Sequence, residues 1–452
     1  MYSKVLRLCL LSILVLSLFL VTAGSVFAAD HPAEVQKWLD MVKEKYGGTT
    51  ITVSMATHPS TEGLSAMVDE FTELTGIKVK WDIISSPKLR PFHMAQASGA
   101  SAIFDVWMTD GFYISEYVAK DTIFPLKVFL DNKELTPEWF DYEDILPAYR
   151  KAIATANDEA YAVPIAGESR FIAYRKDLLE KYNIKPPQTT EELLKAAKFF
   201  KEEVPGMYGL VSRAAKGAFF ASGWLHILYQ FSDGWIDQKT GEILADSPEV
   251  IESLKYWNDL LRTGPPDIAS YTHEEASSTF MRGDAAFWFD ATAIATWLID
   301  PEKSEVYDKV GFLPPPEGPK GRFGALAGWS LSIPKFTNNK EAAWAFVLWM
   351  TSKYNGPKYM KNGGVLVRES LLNNPEITST HPEMYEALGK TFEAAKNLVD
   401  KGLIWIPPTW LANPVLVEAG TYGNKALVGD ITEEEACKEL AEAIKKLQET
   451  WK

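Results

Sequence analysis

Tyr161-Ala-Val-Pro164-Ile-Ala-Gly167-Glu168-Ser169-Arg170-Phe-Ile-Ala-Tyr174-Arg-Lys-Asp-Leu178 is an apolar run, a polar island and a second apolar run. Pro164 cannot donate to a ladder, so it suits an edge or crossing strand. Glu168 and Arg170 put both charge signs into the interruption. Beyond it, Pro186-Pro187 forces a turn. Thr189 and Glu192 then have the spacing of a capping box that starts a helix. On residue type alone, Glu168 and Arg170 read either as an ion pair in a surface turn or as ligand-facing groups.

The same stretch resembles the extracellular solute-binding proteins of ABC importers, in the sugar- and polyol-binding branch related to maltose-binding protein. That family carries a Tyr-x-x-Pro segment, a polar turn, a Tyr-x-Lys/Arg-Lys-Asp-Leu run and then Pro-Pro-x-Thr-x-Glu-Glu-Leu. Here these are Tyr161 to Pro164, Tyr174 to Leu178 and Pro186 to Leu193. Phe104-Asp-Val-Trp-Met-Thr-Asp110 is similar to the family strand whose terminal Asp reaches the ligand. Tyr208-Gly-Leu-Val-Ser-Arg213 resembles a strand that ends in a cleft-facing Arg. Gly328-Trp329-Ser-Leu-Ser-Ile-Pro-Lys335 and Asn362-Gly-Gly-Val-Leu-Val-Arg368 are further landmarks. Together they run in order from about Ile51 to Ser370.

A chain of 452 residues is long for one core, and two lobes are expected. With 46% hydrophobic and 23% charged residues, the composition is globular. Met1 to Ala29 reads as a secretory signal: Lys4 and Arg7 precede the apolar run Leu8 to Leu20, with small residues near Ala28. That run is short for a membrane span. Losing Lys4 and Arg7 lowers the formal net charge of −14 by two. So acidic an exported chain argues against nucleic acid and against anionic membrane surfaces as partners. Cys9 leaves with the leader, so Cys437 has no intrachain disulfide partner. No clustered Cys/His spacing suggests a metal, and no cofactor is expected.

Ile51, Val53 and Met55 alternate with polar residues, as do Ile77, Val79 and Trp81. Between them, Leu64, Met67, Val68, Phe71 and Leu74 share one face of a helix that ends at Gly76. Strand, helix, strand implies parallel pairing. Ligands of such sheets sit at the carboxyl ends of strands, where His58 falls. A lone loop histidine and a helix-capping Asp110 are the plain alternatives. Asp290 closes the apolar run Ala285 to Phe289. Trp224 reads equally as helix core or cleft, and Trp235, beside Gly234, as a loop residue.

The resemblance implies an α/β, periplasmic-binding-protein fold, with two sheet-centred lobes joined by crossing strands. The expected division is 1–29 leader, 29–165 and 327–370 lobe one, and 166–326 and 371–452 lobe two. The implied function is capture of a sugar, oligosaccharide or polyol between closing lobes, for delivery to an ABC permease. Such a protein is not an enzyme, is monomeric, and works in the periplasm or outside the cell. The candidate ligand residues are His58, Asp110, Glu168, Arg170, Arg213, Trp224, Trp235, Asp290, Trp329 and Arg368. Carboxylates and guanidinium groups bond hydroxyls, and indole faces cover the C–H faces of a sugar. The site has no surplus of positive charge, which favours a neutral ligand. Two other readings stay open: a carrier for a peptide or organic anion, and a secreted glycoside hydrolase with two carboxylates about a bond.

Overall fold

The computed structural model of the chain describes residues 31–99, 103–405 and 411–450. The expected leader lies outside them. Two sheets carry the architecture. The first is built from β1 (Thr50–Ala56), β2 (Lys78–Ile84), β3 (Val106–Asp110) and β4 (Ala162–Glu168). The second takes β5 (Arg170–Arg175), β6 (Tyr208–Val211), β7 (Ala285–Ala291) and β8 (Val310–Leu313). Then β9 (Ala327–Ser332) returns to the first sheet. The strand orders are β2-β1-β3-β9-β4 and β8-β5-β7-β6.

The alternation at Ile51–Met55 and Val79–Trp81 does give parallel neighbours, with Val53 opposite Trp81. The helix between them is broken at Ala66-Met67 into Pro59–Ser65 and Val68–Thr75. Gly76 ends the second piece in the left-handed conformation, φ 71°. Strand β4 lies at the edge of its sheet, the position that tolerates Pro164. The polar island is the change of sheet itself. Glu168 pairs with Ala327 in the first sheet, and Arg170 pairs with Ala291 in the second. Ser169 alone stands between, so the crossing comes three residues later than the expected boundary after Ile165. Residues 314–326 bring the chain back. Glu369–Leu372 stays with the first lobe, where Ser370 Oγ donates to Asp144 Oδ2 at 2.7 Å. The chain passes a third time to the second lobe by helix Pro382–Asp400, which packs on β8 and β5.

Each lobe has its own core. Val53, Met108, Val163, Leu331 and Trp344 belong to the first. In the second, Phe287 and Phe289 of β7 pack toward Phe200, Trp224 and Trp257. Trp288 turns the other way, to Phe171 and Phe280. Burial on both faces explains why β7 reads as one continuous apolar run. Helices Ala412–Leu427 and Glu433–Glu449 close the second core. The first of them lies so close to helix Ala218–Phe231 that a Cβ at Gly420 would sit 1.7 Å from the Gly217 carbonyl oxygen. Cys437 is buried there, and burial pushes its thiol up to about 12. It is a packing residue rather than a reactive one.

The lobes also touch away from the crossings. Glu62 Oε2 accepts from Trp297 Nε1 at 3.2 Å and from Lys303 Nζ at 2.5 Å. The Phe112 and Trp405 rings lie 5.4 Å apart.

Candidate functional site

Strand ends from both sheets converge on a cleft of about 240 Å³ between the lobes. Asp110 ends β3, Glu168 ends β4 and Arg170 begins β5. Arg213 follows β6 by two residues. His58 precedes the helix that follows β1, and Trp329 lies on β9, opposite Asp110. All six line the cleft. Trp329 can present its indole there because β9 is irregular at this point. Gly328 has φ +145°, and a Cβ on it would lie 2.0 Å from the Ala166 carbonyl oxygen.

The floor is a buried charge cluster. Asp290 has no exposed surface. Arg170 donates from Nη1 to its Oδ1 at 2.9 Å, and Arg213 donates from Nε to its Oδ2 at 3.0 Å and from Nη2 to Oδ1. Burial alone would raise the acid, but Arg213 and Arg170 overcome it and hold the carboxyl down at about 2. Arg170 itself is lowered to about 10, first by burial and then by Arg213. Its other end donates to Ser222 Oγ at 2.9 Å. One carboxylate thus neutralises half of a two-guanidinium fork and fixes its geometry.

The first-lobe wall carries the opposite sign. Burial pushes Asp110 up to about 7, aided by Glu168 and resisted by the Phe112 N–H at 3.0 Å and by Arg213. At neutral pH it is therefore able to donate as well as accept. His58 Nδ1 accepts from the Ser60 amide at 3.1 Å, which caps the helix. Its Nε2 lies 2.9 Å from Glu168 Oε1, yet neither atom makes an aligned hydrogen bond. Ser169 Oγ and His273 Nε2 are likewise buried in the wall with no partner among the described residues. Phe112, Tyr113, Phe219, Trp329 and Trp405 supply aromatic surface.

Four of the ten expected residues do not face the cleft. Asp290 sits behind Arg170 and Arg213, both of which donate to it. Trp224 is core: helix Ala218–Phe231 is buried all round from Phe220, and the indole donates to Ser253 Oγ at 2.9 Å. Trp235 does lie in a loop, but it turns inward against Trp224, 5.0 Å between rings, and borders a separate apolar cavity. Arg368 is a tie within the first lobe. It donates to the carbonyls of Phe140, Asp141 and Thr351 and to the Asp144 carboxylate. Conversely, Phe112 and Tyr113, which follow the strand end at Asp110 after Gly111, are not among the expected residues. His273 gave no signal, because it stands inside a capping box. No cluster of three metal-ligating side chains occurs among the described residues.

Residues 56–357 match the profile of a family described as bacterial extracellular solute-binding protein. The erythritol/L-threitol-binding protein of Mycolicibacterium smegmatis is 25% identical over 356 residues, covering 75% of this chain and 74% of its own. The mannitol-binding protein of Pseudomonas aeruginosa is 26% identical over 349 residues, covering 75% and 77%. An ABC transporter solute-binding protein from Agrobacterium radiobacter, solved in complex with ribitol, superposes with a TM-score of 0.81 at 25% identity, over 89% of this chain and 99% of that one.

Proposed function

The chain belongs to the bacterial extracellular solute-binding proteins, and we propose that it captures one small neutral polyhydroxylated solute, a polyol or sugar, between its lobes and hands it to an ABC permease. Its family and these relatives are binding proteins, not enzymes. The fold is that of the periplasmic solute-binding proteins.

The observation that carries the ligand class is the charge and bonding state of the cleft. Asp290 already occupies the facing edges of Arg170 and Arg213, and Glu168 and Asp110 stand opposite. An anion would find no free excess of positive charge. Hydroxyls, which donate and accept, suit the unpartnered Ser169 and His273 atoms and can also reach the adjoining His58 and Glu168 side chains. Leaving such buried atoms unpaired is costly, about 1–3 kcal/mol each, so a ligand that pairs them gains accordingly. Trp329 offers a flat apolar face to the carbon skeleton. The relatives that bind erythritol, mannitol and ribitol support the same class. Export by the leader fits the family, and no helix among the described residues is long and apolar enough to cross a membrane.

Groups from both lobes line one cleft, so a ligand that bridges them favours the closed arrangement. Small-angle scattering on the mature chain should show a smaller radius of gyration with saturating ribitol or D-mannitol. An unchanged radius at proven saturation would sink capture by closure.

A further inference from the structure

His273 is the first residue of helix His273–Met281, and its side chain enters the second-lobe wall of the cleft. The helix end does not need it. Thr272 and Glu275 form the capping box, with Glu275 Oε2 accepting from the Thr272 amide at 2.8 Å. The imidazole is 7% exposed and lies against the Phe219 ring, 6.3 Å between centroids at 22°. Its Nε2 is enclosed and unpartnered among the described residues. Burial, with Arg213 beside it, pushes the imidazole down to about 3, so it stays neutral at physiological pH. A neutral imidazole offers one donor and one acceptor and does not attract an anion.

Resting on the neutral-solute reading above, we propose that His273 is a ligand contact of the second lobe, whose Nε2 bonds one hydroxyl of the captured polyol and sets specificity for it. A site built to pair a hydroxyl discriminates strongly against an analogue that leaves its buried atom bare. Trp405, which also lines the cleft from this lobe, has a ring nitrogen that can only donate, whereas a neutral imidazole can also accept.

The test is calorimetric titration of the full mature chain, of His273→Phe and of His273→Gln, with erythritol, ribitol and D-mannitol, beside thermal melts. His273→Phe keeps the ring and removes the nitrogens. It should melt as the parent does and lose about tenfold or more in affinity for the solute the parent binds best. His273→Gln retains polar atoms and should lose less. Parental affinity in His273→Phe would overturn the assignment while leaving the polyol reading intact. Equal losses in both variants with lowered melting temperatures would overturn it in favour of a packing role. A parent chain that binds none of the three, and not maltose either, would remove the reading on which the assignment rests, and the assignment with it.

Discussion

Replacing Asp290 with alanine should destabilise the protein by about 3–5 kcal/mol and abolish tight ligand binding. The carboxylate has no exposed surface, and it is the counter-charge of Arg170, itself 3% exposed, and of Arg213. Without it, two guanidinium groups face each other in a buried floor. Asp290→Asn keeps the volume but not the charge, so it should fail in the same direction. The acid titrates at about 2 in the folded chain against an ordinary 3.8. A depressed carboxyl contributes its stability in full above pH ~4 and loses it as pH falls toward 2. The gap between parent and Asp290→Asn should therefore be widest at neutral pH and narrow across that window. Chemical denaturation across pH 2–7 measures it. Parental stability in both variants at pH 7 would show that the cluster does not organise the floor.

Glu168→Ala and Arg213→Ala should each weaken ligand binding by about 2–5 kcal/mol, roughly thirtyfold or more, and leave the fold standing. The reasoning separates them from Asp290. Arg213 is only partly buried, and after its loss Asp290 keeps Arg170 as partner. Glu168 ends an edge strand, and its Oε1 has no aligned hydrogen bond to lose. Removal of Glu168 also leaves His58 Nε2 without its neighbour. Titration calorimetry paired with melting curves distinguishes the two effects. Native affinity in both variants would take these residues out of the site.

Much of this arrangement is legible in the residues, and the reasons are local. A polar island between two apolar runs reads as a place where strands end, and Ser169 is where one sheet gives way to the other. Pro164 marks an edge because it lacks a donor. Strand ends converge at the junction of the lobes, so reading Asp110, Glu168, Arg170 and Arg213 as strand-end residues also brings them to one cleft. What stays illegible is orientation and depth. Helix Ala218–Phe231 is apolar around its whole circumference, so no periodicity says where Trp224 points. Arg368 closes an apolar run much as Arg213 does, but its neighbours Phe140, Asp141 and Thr351 come from distant parts of the chain. Asp290 looks like one more strand-end carboxylate, and only its pairing with two arginines from other strands reveals that it lies behind the cleft wall. His273 is hidden by the capping box that surrounds it.

Capture of a neutral polyhydroxylated solute is the central claim. Calorimetric titration of the purified mature chain at low and at physiological salt, with erythritol, ribitol, D-mannitol and maltose set beside an amino acid and an anionic sugar acid, tests it most directly. A neutral ligand meets little long-range Coulomb attraction, so salt should scarcely screen its binding. The account predicts saturable one-to-one binding of at least one neutral polyol or sugar, with an affinity nearly independent of salt. Binding of only the amino acid or the sugar acid, with an affinity that falls steeply as salt rises, would contradict it.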